Sequence, residues 1–181
     1  RQERSLFARC KELPVDVTFL RTEDIPVLCA EGAIDMGITG SDLIAESGAD
    51  VERRLPLGVG QCRLSICISD DSKITQPKEQ NGKRIATSFP NNTAAYLKQH
   101  GATAHLVNLS GSVEVMIALG VADAIVDLVE TGSTLAATRL RVLTNSGSYE
   151  TMLIHNHARR MPETPDRVVR RLEGVVIARA Y

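Results

Sequence analysis

Short apolar, β-branched runs alternate with stretches of helical periodicity along the whole chain. The apolar runs predict strands at Val15–Leu20, Asp35–Thr39, Leu64–Ser69, Arg84–Thr87, His105–Leu109, Ala124–Val129 and Met152–His155. Helical patterns fall between them at Asp24–Glu31, Ser41–Glu46, Thr93–His100, Ser112–Leu119, Leu135–Thr138 and Asp166–Ala180. Alternation of this kind predicts an α/β fold with mainly parallel strands. Pro162 and Pro165 bracket the start of the last helix, with Asp166 placed near its first turn. The polar stretch Asp70–Gly82 predicts a surface loop at a lobe boundary.

The pattern also echoes itself. Glu31–Leu43 and Leu119–Leu135 each run from a helix end through Gly and Asp into an apolar strand. Each then reaches a Thr-Gly-Ser turn that opens a helix (Thr39–Ser41 and Thr131–Ser133). Two such copies predict matching units in two similar lobes. In open α/β sheets ligands bind beyond the carboxyl ends of strands, where both turns fall. The arrangement resembles the two-lobed, type II periplasmic-binding-protein-like fold, in which crossover strands join lobes that enclose a cleft. Cys62–Ser69 (CRLSICIS) and Glu150–Asn156 (ETMLIHN) stand where those crossings would be. Residues 1–62 with 155–181 would then form lobe I, and 70–148 would form lobe II, carrying the second turn.

Bulk properties narrow the chemistry. The chain has 181 residues, 43% of them hydrophobic, enough for one domain or two small lobes with a sizeable core. With 21 basic and 22 acidic side chains it lacks the electrostatic footprint of a nucleic-acid or anionic-membrane binder. Three Phe, three Tyr and no Trp leave little for stacking on bases. No apolar run is long enough to span a bilayer, and no signal peptide is legible. Cys10, Cys29, Cys62 and Cys67 form no C-x-x-C pair and read as reduced, mostly buried thiols, so a cytoplasmic location is expected. His155 and His157 form an H-x-H pair without a third ligand at a telling spacing. A polar edge near Arg159 and Arg160 accounts for them better than a metal does.

The stretch 118–140, ALGVADAIVDLVETGSTLAATRL, concentrates the candidate chemistry. An apolar strand stops at Glu130-Thr131-Gly132-Ser133-Thr134, and a helix-forming run begins at Leu135. Strand, small polar turn and helix leave free backbone N–H groups and a positive helix end aimed at one spot, which suits a phosphate. Three hydroxyls line the turn, and Gly132 carries no side chain to block close approach. Read alone, the turn is more simply a capped helix start, with Thr131 or Ser133 as N-cap. No G-x-G-x-x-G follows a strand and no G-x-x-x-x-G-K-[ST] occurs, which argues against a dinucleotide dehydrogenase and a Walker-type ATPase.

Seven ordered motifs carry a more specific resemblance. They are D-I-P-x-L (Asp24–Leu28), G-A-I-D-M-G-I-T-G (Gly32–Gly40), G-Q-C-R-L-S (Gly60–Ser65) and G-K-R-I-A-T-S (Gly82–Ser88), followed by L-S-G-S-V-E-V (Leu109–Val115), A-D-A-I-V-D-L-V-E-T-G-S-T-L (Ala122–Leu135) and R-L-E-G-V-V-x-A-R (Arg171–Arg179). Together they resemble the ATP phosphoribosyltransferase family, the first enzyme of histidine biosynthesis, over nearly the whole chain. The D-L-V-E-T-G-S-T-L block is its most specific part.

That resemblance implies Mg²⁺-dependent transfer of a 5-phosphoribosyl group from phosphoribosyl pyrophosphate (PRPP) to N1 of the ATP adenine, releasing pyrophosphate. Glu130, Thr131, Gly132, Ser133, Thr134 and Leu135 would bind the PRPP phosphate. Asp127 is the first choice for the ribose hydroxyls and Mg²⁺, with a turn cap as its other reading. Glu114 is a second acidic candidate that also reads as a first-turn carboxylate. Arg63 either holds a triphosphate or pyrophosphate or forms a structural ion pair. Asp35, Thr39, Gly40 and Ser41 would lie near ATP, although Asp35 reads as well as a turn former. No nucleophile–base pair stands out, in keeping with direct displacement. Family members begin with a strand and a P-K-G-R-L-like segment, and long forms end in a ferredoxin-like domain. That domain binds histidine, the feedback inhibitor, whereas short forms work with a separate regulatory subunit. A homo-oligomer, or a hetero-oligomer with such a subunit, is expected. The reading that competes is a two-lobed solute-binding or ligand-sensing module without catalysis, since fold alone does not decide function.

Overall fold

The computed structural model describes residues 7–129, 135, 137–157 and 167–172. In chain order its elements are β1 (Phe7–Arg9), β2 (Asp16–Thr18), α1 (Ile25–Ala30), β3 (Met36–Gly40), α2 (Ser41–Ser47), β4 (Glu52–Pro56), β5 (Cys62–Ser69), β6 (Arg84–Thr87), α3 (Pro90–Gln99), β7 (His105–Asn108), β8 (Ala124–Val129), β9 (Leu140–Tyr149) and β10 (Thr151–His155). Residues 167–172 are also helical. They fall into two compact units, residues 1–59 with 150–181 and residues 60–149.

In the first unit, β10 is the central strand, with β3 and β4 antiparallel on either side. Pro26 sits in the first turn of α1, where a missing N–H costs nothing. Gly48, in the left-handed region at φ 62°, ends α2. Cys29, Ile44 and Ile154 are buried together, packed by Ile25, Ile34, Val51 and Met152. Gly37 on β3 leaves room for this packing, because a Cβ there would run into Ile25 Cγ2 and Ile154. Asn156, just past β10, donates its amide to the carbonyls of Cys29 (2.7 Å) and Ala30 (3.0 Å) and ties the strand end to α1. A separate two-stranded ribbon, β1 with β2, is antiparallel.

The second unit is a five-stranded sheet in the order β7-β6-β8-β5-β9. β6 pairs in parallel with β7 and β8, and α3 provides the crossover from β6 to β7. β5 runs antiparallel to both β8 and β9 and is buried without interruption from Leu64 to Ile68. Cys67, Ala86, Val113, Ala122, Ile125, Leu135 and Leu140 form the core on one face. Two shifts of register in the β5–β9 ladder, at Leu64/Ser65 and Ile66/Cys67, mark bulges on the β9 side. Arg84 grips the Asp123 carboxylate with Nε and Nη2 and the Gly120 carbonyl with Nη1, fixing the start of β8 beside β6.

The expectation of mainly parallel strands is corrected, since only the β6–β7 and β6–β8 pairings are parallel. A β/α alternation looks the same in sequence whichever way a returning strand runs, and β5 and β10 run against their neighbours. The helix expected at Ser112–Leu119 is a short 3₁₀ turn at Val113–Val115 followed by further turns. Ser112 is left-handed at φ 55°, and β-branched Val113 and Val115 favour helix poorly. Three strands have no counterpart in the sequence reading, namely β1, β4 and β9. Asp70–Gly82 lies inside the second unit and contains a 3₁₀ turn, Pro77–Gln80, closed by a reciprocal Gln76–Glu79 capping box. Of the helix expected at Asp166–Ala180, residues 167–172 are described, and Val169 is buried. Leu135 and Ala137 are helical, while Glu130–Thr134 lie outside the described residues.

All four cysteines are free, with Cys29 and Cys67 buried. His157 Nε2 lies 3.1 Å from Asp50 Oδ1 and His155 Nδ1 lies 3.7 Å from Glu52 Oε2. No helix among the described residues is long and apolar enough to cross a membrane.

Candidate active site

In the second unit β8 carries the first-choice carboxylate, Asp127. Its first residues, Ala124 to Val126, are fully buried, and Asp127 to Val129 are half-buried as the strand leaves the core. Side chains alternate along a strand, so Ile125, Asp127 and Val129 share one face. On β5, Cys67 lies opposite Ile125, Ser65 opposite Asp127 and Arg63 opposite Val129. Cross-strand partners share a face, which puts Arg63, Ser65 and Cys67 on the same side as Asp127. Val113 of the 3₁₀ turn packs into the cluster with Ile125 and Cys67, bringing its neighbour Glu114 toward Asp127.

The electrostatics follow from that placement. Burial pushes the Asp127 carboxyl above its ordinary range. The Leu128 N–H, donating to Oδ1 at 2.8 Å, partly opposes this, and the charge of Glu114 adds to it. The Cys67 thiol is pushed up to about 12, by burial first and by the Asp127 charge second. It is therefore a neutral core group rather than a nucleophile. Arg63 stands exposed on β5, diagonal to Asp127 across the ladder. Arg63 and Asp127, 64 positions apart in sequence, thus share one face of one sheet, with Glu114 near enough for its charge to act on Asp127.

Glu130–Thr134, the residues expected to bind the phosphate, lie outside the described residues. Leu135, which follows them, is buried in the same cluster as Ile125 and Val113 and anchors the chain there.

The first unit treats its own Thr-Gly-Ser turn differently. Thr39 is buried and donates its hydroxyl to the Thr22 carbonyl at 2.9 Å. The Ser41 N–H donates to the Glu150 carbonyl at 2.9 Å, and its hydroxyl accepts the Glu150 N–H at 3.1 Å. Asp42 is buried with a carboxylate oxygen where a Cβ on Gly40 would stand. A carboxylate in the first turn of this helix opposes the approach of a phosphate there. Asp35 precedes β3, whereas Thr39 and Gly40 are its last residues and Ser41 opens α2, so Asp35 stands at the opposite end of the strand from the turn. Asp35 instead faces Cys29, whose thiol is pushed up to about 11 by burial and then by the Asp35 charge.

Two residues of this region escaped the sequence reading. Ser65 is fully buried and donates to Asn145 Oδ1 on β9 at 2.8 Å. Asp127, Ser65 and Asn145 thereby form a polar row across β8, β5 and β9. The alternation of Arg63, Ser65 and Cys67 on β5 was a legible signal for Ser65. Nothing in the sequence paired it with a residue 80 positions away.

For a divalent cation, Asp127 with Glu114, whose charge raises the cost of ionising Asp127, forms a fitting but incomplete donor set. Among the described residues no group of three or more His, Cys, Asp or Glu could hold a metal. Mg²⁺ is usually bound in this way, through one or two carboxylates with the substrate's phosphates completing the shell.

The sequence model of the ATP phosphoribosyltransferase family (HisG) matches residues 21–174. An ATP phosphoribosyltransferase of Rhodopirellula baltica is 66% identical over 181 residues, covering all of this chain and 60% of the relative. The chain therefore spans about three-fifths of that relative's length. A chain of the ATP phosphoribosyl transferase (HisG:HisZ) complex from Thermotoga maritima superposes with a TM-score of 0.84 at 26% identity, covering 98% of this chain and 87% of the other. A substrate-binding protein of an amino acid ABC transporter matches with a TM-score of 0.62 at 15% identity, over 88% of this chain and 71% of the other. This last likeness speaks for the fold alone, and the architecture is the two-lobed α/β fold of type II periplasmic binding proteins. With a family model that matches most of its length, the chain belongs to the ATP phosphoribosyltransferase family.

Proposed function

We propose that this chain contributes the PRPP-binding and transfer chemistry of an ATP phosphoribosyltransferase, at the first step of histidine biosynthesis. In that reaction the bond from ribose C1′ to the pyrophosphate oxygen breaks and its electron pair leaves with pyrophosphate. The lone pair of adenine N1 forms the new bond to C1′. Departure of pyrophosphate leaves positive charge on the ribose, so positioning and electrostatics carry most of the catalysis. The observation that supports this reading best is Asp127, a carboxylate held half-buried beside Glu114 on the face that also presents Arg63.

Asp127 would face the ribose hydroxyls and oppose the charge that develops at C1′, with Glu114 as the second carboxylate. Together with substrate oxygens these two would hold Mg²⁺, which supplies charge neutralisation for the departing pyrophosphate. Arg63 would bind the pyrophosphate oxygens. Glu130–Thr134 with the backbone of Leu135 would cradle the 5-phosphate. In the first unit, Thr39, Gly40 and Ser41 are the proposed nucleotide contacts. The Asp42 carboxylate makes that turn suited to the adenine or ribose rather than to the triphosphate.

Likeness to a chain of the HisG:HisZ complex supports a hetero-oligomer with a second subunit, and histidine would act as feedback inhibitor through a regulatory domain or subunit. A solute-binding role would require neither the acidic pair nor the D-L-V-E-T-G-S-T block. Replacement of Asp127 by Asn tests the assignment. Pyrophosphate release dependent on both PRPP and ATP should fall by roughly 100-fold or more, the loss typical of an electrostatic stabiliser, while ATP affinity holds. Equal loss of ATP affinity would remove Asp127 from the ribose–magnesium role.

A further inference from the structure

The sheet face around Asp127 is polarised. Its β8 side carries acceptors, Asp127 with Glu114 close by, whereas its β5 and β9 side carries donors. Arg63 and Ser148 form one cross-strand pair there, and Ser65 and Asn145 form the next. Ser65 is 0% exposed, and its hydroxyl proton is committed to Asn145 Oδ1 at 2.8 Å. A buried hydroxyl on an apolar sheet face is costly unless it is bonded. Here its single bond fixes the orientation of an exposed amide, a side chain that solvent would otherwise leave mobile. With Oδ1 occupied, Asn145 presents Nδ2, and among the described residues nothing takes those protons. Ser65 gives no proton to Asp127, whose Oδ1 takes only the Leu128 N–H among the described residues.

The backbone reinforces this arrangement. The register of β5 with β9 shifts between Leu64 and Ser65, so Ser146 is the extra residue next to Asn145. The Ser146 hydroxyl donates to the Leu64 carbonyl at 3.0 Å and closes the gap in the ladder. Bulges of this kind re-aim a neighbouring side chain and recur beside active sites. Strand spacing sets Asn145 about 10 Å from Asp127 across two ladders, a span that a sugar with an attached pyrophosphate covers.

We infer that Asn145 is a substrate-contacting residue that donates its Nδ2 protons to the pyrophosphate of PRPP, and that Ser65 is the positioning residue holding it. The inference rests on the proposed PRPP site at Asp127. It extends that site to the edge strand, with acceptors taking the sugar and cation and donors taking the anion.

Titration calorimetry of the chain with PRPP, inorganic pyrophosphate and ribose 5-phosphate, each with Mg²⁺, tests it. Asn145→Ala should weaken PRPP and pyrophosphate by about tenfold, as expected for one hydrogen bond to a charged group, and leave ribose 5-phosphate unchanged. Asn145→Asp keeps the shape and the acceptor for Ser65 but adds charge, so it should weaken both anions further without lowering Tm. Ser65→Ala should give a smaller loss with the same selectivity. Unchanged PRPP affinity in Asn145→Ala, or equal losses for pyrophosphate and ribose 5-phosphate, would overturn the inference. Asp127→Asn run in parallel separates the two levels. PRPP binding weakened there but intact in both Asn145 variants overturns the role of Asn145 alone. A wild-type chain that binds no PRPP overturns the site and this extension together.

Discussion

Asp127 pays for its position with stability. Its carboxyl is pushed above the ordinary value of 3.8 by burial and by Glu114, against the one opposing N–H of Leu128. Between 3.8 and its raised folded value, the folded state holds a proton that the unfolded chain has lost. Stability therefore falls as pH rises through that window, and the penalty is complete above the folded pKa. Asp127→Asn removes the charge, so at pH 7 the variant should melt at a higher temperature than wild type, and the gap should close as pH drops below the window. A variant no more stable than wild type at pH 7 would mean that unseen partners compensate the buried charge. The expected gain in stability with the expected loss of turnover is the signature of a group kept for function. Cys67 and Cys29 show the contrasting outcome. Burial that costs a carboxylate leaves a thiol neutral, and both serve as core packing.

Elements differ in how plainly they announce themselves. β6 and β8 stand at the residues expected, Arg84–Thr87 and Ala124–Val129, because each is a compact apolar run flanked by polar or helix-forming sequence. β9 does not, since its Thr-Asn-Ser-Gly-Ser composition is poor in strand formers and two register shifts break its alternation. β4 (ERRLP) is a charged edge strand whose order comes from pairing with β10, nearly a hundred residues away in sequence. The candidate site divides in the same way. Asp127 and Glu114 were legible from residue type and local context, whereas Asn145 acquires meaning only through its ladder with β5. Asp35 and Thr39–Ser41 came from the resemblance, and β3 sets Asp35 just before its start while Thr39 and Gly40 form its end and Ser41 opens α2. At this scale Gly37 is the sharpest probe of packing in the first unit. Gly37→Val would force a side chain against Ile25 of α1 and Ile154 of β10. Overpacking of this kind costs about 1–3 kcal/mol, read as a lower denaturant midpoint. An unchanged midpoint would mean that α1 is not seated on β3 and β10 as described.

At the scale of the whole chain, two units each enclose a core of their own, one around Ile154 and Ile44 and the other around Ile125 and Cys67. Family membership and fold are settled by the sequence match and the structural likeness. The proposal built on them is narrower: the second unit recognises PRPP through the acidic face at Asp127 and the small polar turn that follows it. Gly132 is the residue on which the phosphate end of that proposal turns, because a side chain there would block the close approach of the 5-phosphate. The most direct test is calorimetric titration of the folded chain with PRPP and Mg²⁺, beside the Gly132→Val variant. Binding by wild type that Gly132→Val abolishes, with its melting transition intact, is the predicted result. PRPP binding that survives Gly132→Val unchanged would contradict the assignment of the 130–134 turn to the sugar phosphate.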